Sequence, residues 1–263
     1  MTEQAPPGID TTRPSAARVY DYALGGNRNY AVDRAAADSI LAVAPEVRDL
    51  VVHNREFLGR AVRYAVECGI AQFIDLGAGL PTQENVHHLV RRVRPHARVV
   101  YVDNDPTVGF HAEASLCMDD QTAFLEADLR DAGAIRIAPA TRRMIDFGRP
   151  VAVLMVAVLH FLGDADDPAG IVSGFVDVMA PGSLLLMSHA TTEGASEAVR
   201  AQLDATYGNG PMPLFLRSRA EIAALFGGLP LVAPGLVDVG HWRSEHRAPL
   251  GRLRALGGVG RVP

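Results

Sequence analysis

The chain contains no lysine. All 25 basic residues among its 263 are arginine, set against 30 acidic residues for a net charge of −5. Without an internal amine there is no P-loop lysine, no kinase strand lysine and no Schiff base to a carbonyl or to pyridoxal phosphate. Arginine cannot substitute, because a guanidinium stays protonated and is a poor nucleophile. The accompanying excess of Ala, Gly and Val marks the bias as compositional pressure. Cysteine is almost as scarce: Cys68 and Cys117 are the only two. Two cysteines supply neither a disulfide framework nor a Cys-based structural zinc site, and they point to a reducing, cytoplasmic setting. Long apolar runs are missing too. The longest, Val151 to Leu159, ends at His160 and is too short to span a bilayer. The N-terminus lacks the basic-then-apolar order of a signal peptide, so no membrane partner is expected. A negative chain with no basic stripe is not expected to bind nucleic acid as its main function. What the chain does have is 48% hydrophobic residues, enough to fill the core of one large domain.

Residues 1–14 are rich in Pro, Thr and acid with no apolar period, which predicts a disordered tail. Residues 15–70 read as an N-terminal helical extension. It begins with a Tyr- and Gly-rich stretch, Arg18 to Tyr30, and continues with a helix over Asp33–Val43 and a long amphipathic helix after Pro45. On the latter, Val47, Leu50, Val51, Asn54, Leu58, Ala61, Val62, Ala65 and Val66 recur at i, i+3, i+4, and Gly69 stands at the expected C-cap. From residue 71 to 263 short apolar runs alternate with helical segments. Strands are predicted at Gln72–Leu76, Val99–Val102, Thr122–Glu126, Val151–Val156 and Leu184–Ser188. Helices are predicted near Thr82–Val93, Pro106–Leu116, Pro168–Met179, Glu193–Thr206 and Arg219–Phe226, and two late strands at Leu236–Trp242 and Gly257–Val262. The stretch from Asp128 to Pro150 is irregular and unassigned. Strands without polar alternation, separated by helices, make a doubly wound, mostly parallel (Rossmann-like) α/β sheet in a single structural unit.

Phe73-Ile-Asp75-Leu-Gly77-Ala-Gly79-Leu-Pro-Thr82 is the strongest local signal. A buried strand ends in an acid, a Gly-x-Gly turn lets the backbone approach a ligand, and Pro81 is placed to open a helix. The turn sits where open parallel sheets bind ligands. A third glycine at position 82 would complete a dinucleotide fingerprint, but Thr82 stands there. The next strand ends in Asp103, placed to accept both hydroxyls of a ribose, such as that of NAD or of S-adenosylmethionine. The third supplies Asp128, suited to an adenine edge together with the Leu129 N–H, or else to the N-cap of the next helix. Three acids at successive strand ends favour a nucleoside site over ordinary turns.

The motif set resembles the class I S-adenosylmethionine-dependent methyltransferases and, more narrowly, the actinobacterial S-adenosyl methyltransferase family, long grouped as a domain of unknown function. The matching segments are Arg18-Val-Tyr-Asp-Tyr-Ala-Leu-Gly-Gly-Asn-Arg-Asn-Tyr30 with Asp33-Arg34, then Asn54-Arg-Glu-Phe-Leu58. They continue with Asp75 to Thr82, Tyr101-Val-Asp-Asn-Asp-Pro106, Ala127-Asp-Leu-Arg130, Val158-Leu-His-Phe161, Asp166-Asp-Pro168 and Pro181-Gly-Ser183. Where the family often carries a lysine after the paired glycines, this chain has Asn27, and where it often has one near the C-terminus, Val262.

The resemblance implies methyl transfer from S-adenosylmethionine to an unidentified, small-molecule acceptor. It also implies that Asp75, Gly77, Gly79 and Leu80 line the methionine side of the donor. Asp103 would bind the ribose with Asn104 behind it, Asp128 and Leu129 the adenine, and Val156, Ala157 and His160 would lie near donor and acceptor. Arg55 is a candidate partner for the donor carboxylate or a solvated face. His160 is the candidate general base, with His189 a weaker rival; the competing reading of His160 is a histidine bonded to backbone at a strand end. The segment Tyr20–Tyr30 reads either as a lid hinged at Gly25-Gly26, with Tyr22 among rings that face a sulfonium, or as a turn packing an N-terminal helix onto the sheet. Transfer from a sulfonium relies on positioning, so no metal and no catalytic triad are required. The alternatives are a non-catalytic protein that binds the donor and regulates or assembles with a partner, and an NAD-dependent oxidoreductase. The second is disfavoured by Thr82 and by the lack of any Tyr-x-x-x-Lys pair.

Overall fold

The computed structural model describes residues 5–6, 8–81, 84–115, 120–197, 200–201, 213–246 and 249–263. Seven strands form one sheet: β1 (Gln72–Leu76), β2 (Arg98–Asp103), β3 (Thr122–Glu126), β4 (Ala152–Val156), β5 (Leu184–Thr191), β6 (Val237–Asp238) and β7 (Arg254–Arg261). Their order is β3-β2-β1-β4-β5-β7-β6. The first five run parallel, in registers such as Asp75 opposite Tyr101 and Leu154, while β7 enters antiparallel beside β5. β1 is buried along its whole length and β4 along most of it, as expected for strands covered on both faces. The order in which strands are laid across the sheet switches sides between β1 and β4, and the strand ends there open the crevice in which such sheets bind ligands.

Helices cover both faces. On one side α3 (Val47–Glu67) and α4 (Val86–Arg91) pack Phe57, Ala61, Val62 and Val90 onto Phe73, Val99 and Leu154. The apolar stripe read from the sequence is the buried face of α3, and Gly69, at φ +92°, terminates it. Trp242 is fully buried in this layer, its ring meeting Phe57 edge-on at 5.5 Å. It sits in a turn, because the strand predicted over Leu236–Trp242 reduces to Val237–Asp238. On the other side lie α6 (Ala132–Ile137), α7 (Pro139–Met144), α8 (Pro168–Val176) and α9 (Arg219–Leu225). The first two of these fill the unassigned crossover; each is too short to display a helical period. α5 (Pro106–Ser115) follows β2. The helix expected to open at Pro81 begins instead at Val86, after Asn85. Half of the helix predicted over Glu193–Thr206 lies outside the described residues, as does Cys117, and residues 193–196 are turn and irregular chain rather than its first turn of helix. No described helix is long and apolar enough to cross a membrane.

The N-terminal helices α1 (Ala16–Ala23) and α2 (Ala31–Val43) close over the sheet. The Tyr- and Gly-rich stretch is therefore helical in its first half. Gly25, at φ +81°, ends α1 with backbone bonds from Gly25 to Tyr22 and from Gly26 to Asp21. The carboxylate of Asp21 then accepts from the Arg28 N–H and from Asn29 Nδ2 and holds the turn.

One buried ion pair anchors the assembly. Arg18 Nε meets Asp33 Oδ2 at 2.8 Å, with the two side chains 4% and 0% exposed. Asp33 also accepts from the backbone N–H groups of Ser15 and Tyr30, and Arg18 reaches Thr107 on α5. The same guanidinium donates to the carbonyls of Asp10 and Arg13, so the end of the predicted disordered tail, residues 10–13, is held against α1. Removing one partner of a buried pair strands the other. Arg18→Met is expected to cost about 3–5 kcal/mol in urea denaturation. The double variant Arg18→Met/Asp33→Asn, which leaves no buried charge, recovers part of that loss; no recovery would show that the pair is not the anchor.

Candidate functional site

At the carboxyl ends of β1, β2 and β4 lies a cavity of about 660 Å³, within the range of small-molecule sites. Its floor is built by the strand ends. Asp75 occupies the penultimate position of β1 and is 6% exposed. No hydrogen bond from a described residue reaches its carboxylate. Burial, reinforced by the nearby Asp103, pushes its pKa up to about 7 even though Arg55 pulls the other way. A carboxylate removed from water without a partner, on the wall of a cavity, is a receptor for a cation.

Gly77 and Gly79 follow at φ +70° and +66°, a conformation that L side chains rarely adopt. A Cβ on Gly77 would also lie 2.3 Å from Val158, so glycine here lets the loop after β4 close onto the turn. The Gly79 N–H donates to Asp103 Oδ2 at 2.8 Å, and Asp105 N–H donates to Asp103 Oδ1 at 3.0 Å. Burial raises the pKa of Asp103, and these backbone N–H groups counteract it by stabilising the anion. The carboxylate retains lone pairs for further donors. Asp105 in turn accepts from Ser15 Oγ and from the Thr107 N–H, which joins the N-terminal segment to the start of α5.

The third strand end differs. Asp128 accepts from the Arg130 N–H and from its guanidinium at 2.6–3.0 Å, and Arg130 also reaches Asp166. The Arg130 side chain first, then Asn104, hold the Asp128 carboxyl below its ordinary pKa. Asp128 does not cap the next helix: Asp131 does, accepting from Ala134 N–H. The fourth strand end carries a feature that alanine does not advertise. Ala157 has φ +56°, fixed by hydrogen bonds from its N–H to Ser188 O and Oγ. Such backbone outliers persist where the surroundings over-determine them, commonly at functional sites.

Of the residues predicted to contact the donor, Arg55, Asp75, Gly77, Gly79, Leu80, Asp103, Asn104, Asp128, Leu129, Val156 and Ala157 all line this cavity. Arg55 donates to the Glu84 carbonyl at its rim. Tyr22 is the exception. Its hydroxyl bonds Asp38 and its ring meets Arg48, so it faces α2 and α3. Tyr20, two residues earlier, is the tyrosine that lines the cavity. Its hydroxyl donates to Val51 O and accepts from Asn54 Nδ2. Asn54, also on the wall, is a polar residue on the apolar stripe of α3, and that mismatch was the available signal. Arg18, Arg130, Phe161 and the segment from Gly8 to Pro14 were missed as well. Asn27 is exposed and lies outside this cavity.

His160 does not line this cavity. It is 9% exposed, and its Nδ1 accepts from the Ala190 N–H at 3.3 Å, the backbone-bonded arrangement. The lone pair that a general base needs is thus engaged. Burial, with His189 and Arg217 adding to it, pulls its pKa well below the ordinary value. His189 is fully buried, pushed down to about 4, with Nε2 against Arg217 at 2.9 Å.

A parallel α/β sheet with an antiparallel strand beside β5, a glycine turn after β1 and acids at the ends of β1 and β2 together define a class I S-adenosylmethionine-dependent methyltransferase. Comparison with known proteins agrees. A family model described as S-adenosyl methyltransferase matches residues 2–263, and the chain belongs to that family. A Thermobifida fusca protein described as a candidate methyltransferase is 40% identical over 99% of both chains, with a TM-score of 0.92. A DUF574 family protein from Streptomyces avermitilis is 38% identical over 97% of this chain and 100% of its own, with a TM-score of 0.91. More remotely, the fold is shared with a Burkholderia thailandensis 1,6-didemethyltoxoflavin N1-methyltransferase bearing S-adenosylhomocysteine, 16% identical over 99% of this chain and 93% of that one, TM-score 0.50. No curated protein matches.

The state of Asp75 gives a prediction that involves no ligand. Its raised pKa means that the ligand-free fold loses stability as pH rises from about 4 through 7, where the buried carboxyl ionises. Asp75→Asn should therefore stabilise the ligand-free protein at pH 8 by on the order of 2–4 kcal/mol in urea denaturation, and by much less at pH 5. A variant no more stable than wild type at pH 8 would show that the carboxylate is already paired.

Proposed function

We propose that this methyltransferase is a cytoplasmic enzyme that binds S-adenosylmethionine along the strand ends and acts on a small-molecule acceptor. The carboxylate of Asp75, beside the Gly77–Gly79 turn and without a hydrogen bond from any described residue, carries the reading, because a cationic amine is the group that would pair it. When bound, S-adenosylmethionine supplies a methyl group on a sulfonium, which passes to a nucleophile by in-line displacement with a neutral thioether leaving. The chain's own residues position the two partners. Asp75 receives the α-amine of the donor, and Arg55 lies within range of its carboxylate. Asp103, held by the Gly79 and Asp105 N–H groups, accepts from the ribose hydroxyls. Leu129 and Asn104 border the adenine. Asp128 is the weakest of these assignments, since an adenine amine has to share its oxygens with Arg130. The strained Ala157 brings its backbone to the reacting end, and Tyr20 and Phe161 exclude water there.

Titration calorimetry with S-adenosylmethionine tests the assignment. Wild-type affinity is expected to fall roughly tenfold between pH 7.5 and 5.5, as Asp75 takes up a proton, and Asp75→Asn flattens the profile. Asp103→Ala, which removes two charge-assisted ribose bonds, is expected to weaken binding by about 100-fold or more, whereas Asp128→Ala costs less. Near-normal affinity in Asp103→Ala, or tight binding of NAD in place of S-adenosylmethionine, would contradict the reading.

A further inference from the structure

A second cavity, of about 150 Å³, adjoins the first. It lies under α1, α2 and α3 at the carboxyl ends of β4 and β5, and shares Tyr20, Asn54, Ala157 and Phe161 with the donor cavity. The two therefore adjoin at these side chains. Two of them are hydrogen-bonded to each other and to β5: Ser188 Oγ donates to Asn54 Oδ1 at 2.6 Å, and Asn54 Nδ2 to the Tyr20 hydroxyl at 3.0 Å.

The remaining surface is strongly apolar, with Val19, Ile40, Leu50, Leu214 and Leu216 prominent. Its single charged side chain among the described residues, Arg254, is engaged by Asp238 at 3.1 Å and by Glu193 at 3.5 Å. A charged occupant would find no counter-ion and would lose its hydration. An apolar cavity of this volume has room for one benzene-sized ring.

One polar group on the lining is unspent. With Nδ1 of His160 accepting from Ala190 N–H, a neutral imidazole must carry its proton on Nε2. Burial next to His189 and Arg217 keeps the ring neutral. Among the described residues no hydrogen bond takes that Nε2–H, and His160 lines the cavity. Arg217 braces the ring's surroundings, donating to the carbonyls of Leu159 and Leu162 and contacting His189, so the 3₁₀ turn bearing His160 is fixed.

We propose that this cavity receives the methyl acceptor, and that the acceptor is an uncharged molecule about one ring in size whose hydrogen-bond-accepting atom takes the Nε2–H of His160. This rests on the donor occupying the larger cavity. His160 then acts as a positioning donor to the acceptor, not as a base.

The test uses two isosteric probes that differ by one acceptor atom, pyridine and benzene, titrated at pH 8 into the full-length protein saturated with S-adenosylhomocysteine. Both are expected to bind alongside it. In His160→Phe the ratio of pyridine to benzene affinity should shift about tenfold toward benzene. Ala37→Phe, on the lining, or Leu216→Trp where the first does not keep a native melting transition, should abolish binding of both probes while S-adenosylmethionine affinity stays within about twofold. An unchanged ratio in His160→Phe overturns the role of His160. Probes that do not bind wild-type protein that does bind S-adenosylmethionine, or that survive filling of the cavity, overturn the acceptor site. Failure of S-adenosylmethionine to bind the wild type overturns the donor reading on which the proposal depends.

Discussion

The buried carboxylate of Asp75 is the constraint around which this site is organised. It sits at the end of a strand covered on both faces, lining a cavity, with no hydrogen bond from a described residue on its oxygens. Ionising it there costs on the order of a few kcal/mol, judged from a pKa raised to about 7. A fold of ordinary marginal stability carries such a cost only where something is gained in return. The neighbouring features all serve to keep that position open to a ligand. Gly77 and Gly79 let the turn pass without side chains. Asp103 is steadied by the Gly79 N–H and not by a cation. Arg55, the nearest positive charge, is drawn to the Glu84 carbonyl. The absence of lysine agrees with this arrangement, since no flexible amine is present to neutralise Asp75 from within.

The N-terminal helices complete the enclosure through a different kind of contact. The Arg18–Asp33 pair fixes α1 to α2, and Thr107 ties both to α5 beside the glycine turn. From there the chain Tyr20, Asn54, Ser188 runs from α1 through α3 to β5, joining residues far apart in sequence into one wall. Those side chains border both a large cavity lined by acids and a small apolar one. The shared border suits a reaction in which a cationic, nucleoside-bearing donor meets an uncharged partner end to end.

Much of this was legible in the sequence, for physical reasons. Parallel strands buried on both faces give unbroken apolar runs, so β1 to β5 and their order of appearance could be read directly. Asp75 and Asp103 stood out because an acid at the end of such a run has no packing role. Tyr22 faces α2 and α3 rather than the cavity because the first half of the Tyr- and Gly-rich stretch is helical. On a helix, residues two apart point to nearly opposite sides, so Tyr20 and not Tyr22 faces the cavity. The helices α6 and α7 were too short to leave a period. The left-handed backbone of Ala157 left no trace, since alanine marks nothing, and the state of His160 depended on Ala190, which only the pairing of β4 with β5 brings near.

A crystal structure of the protein with S-adenosylhomocysteine is the most direct test of this account. It should show the α-amine within hydrogen-bonding distance of Asp75, the ribose hydroxyls on Asp103, and the sulfur facing Ala157 and the wall formed by Tyr20 and Asn54. A ligand bound with Asp75 unpaired, or with the sulfur turned away from Ala157, would contradict it.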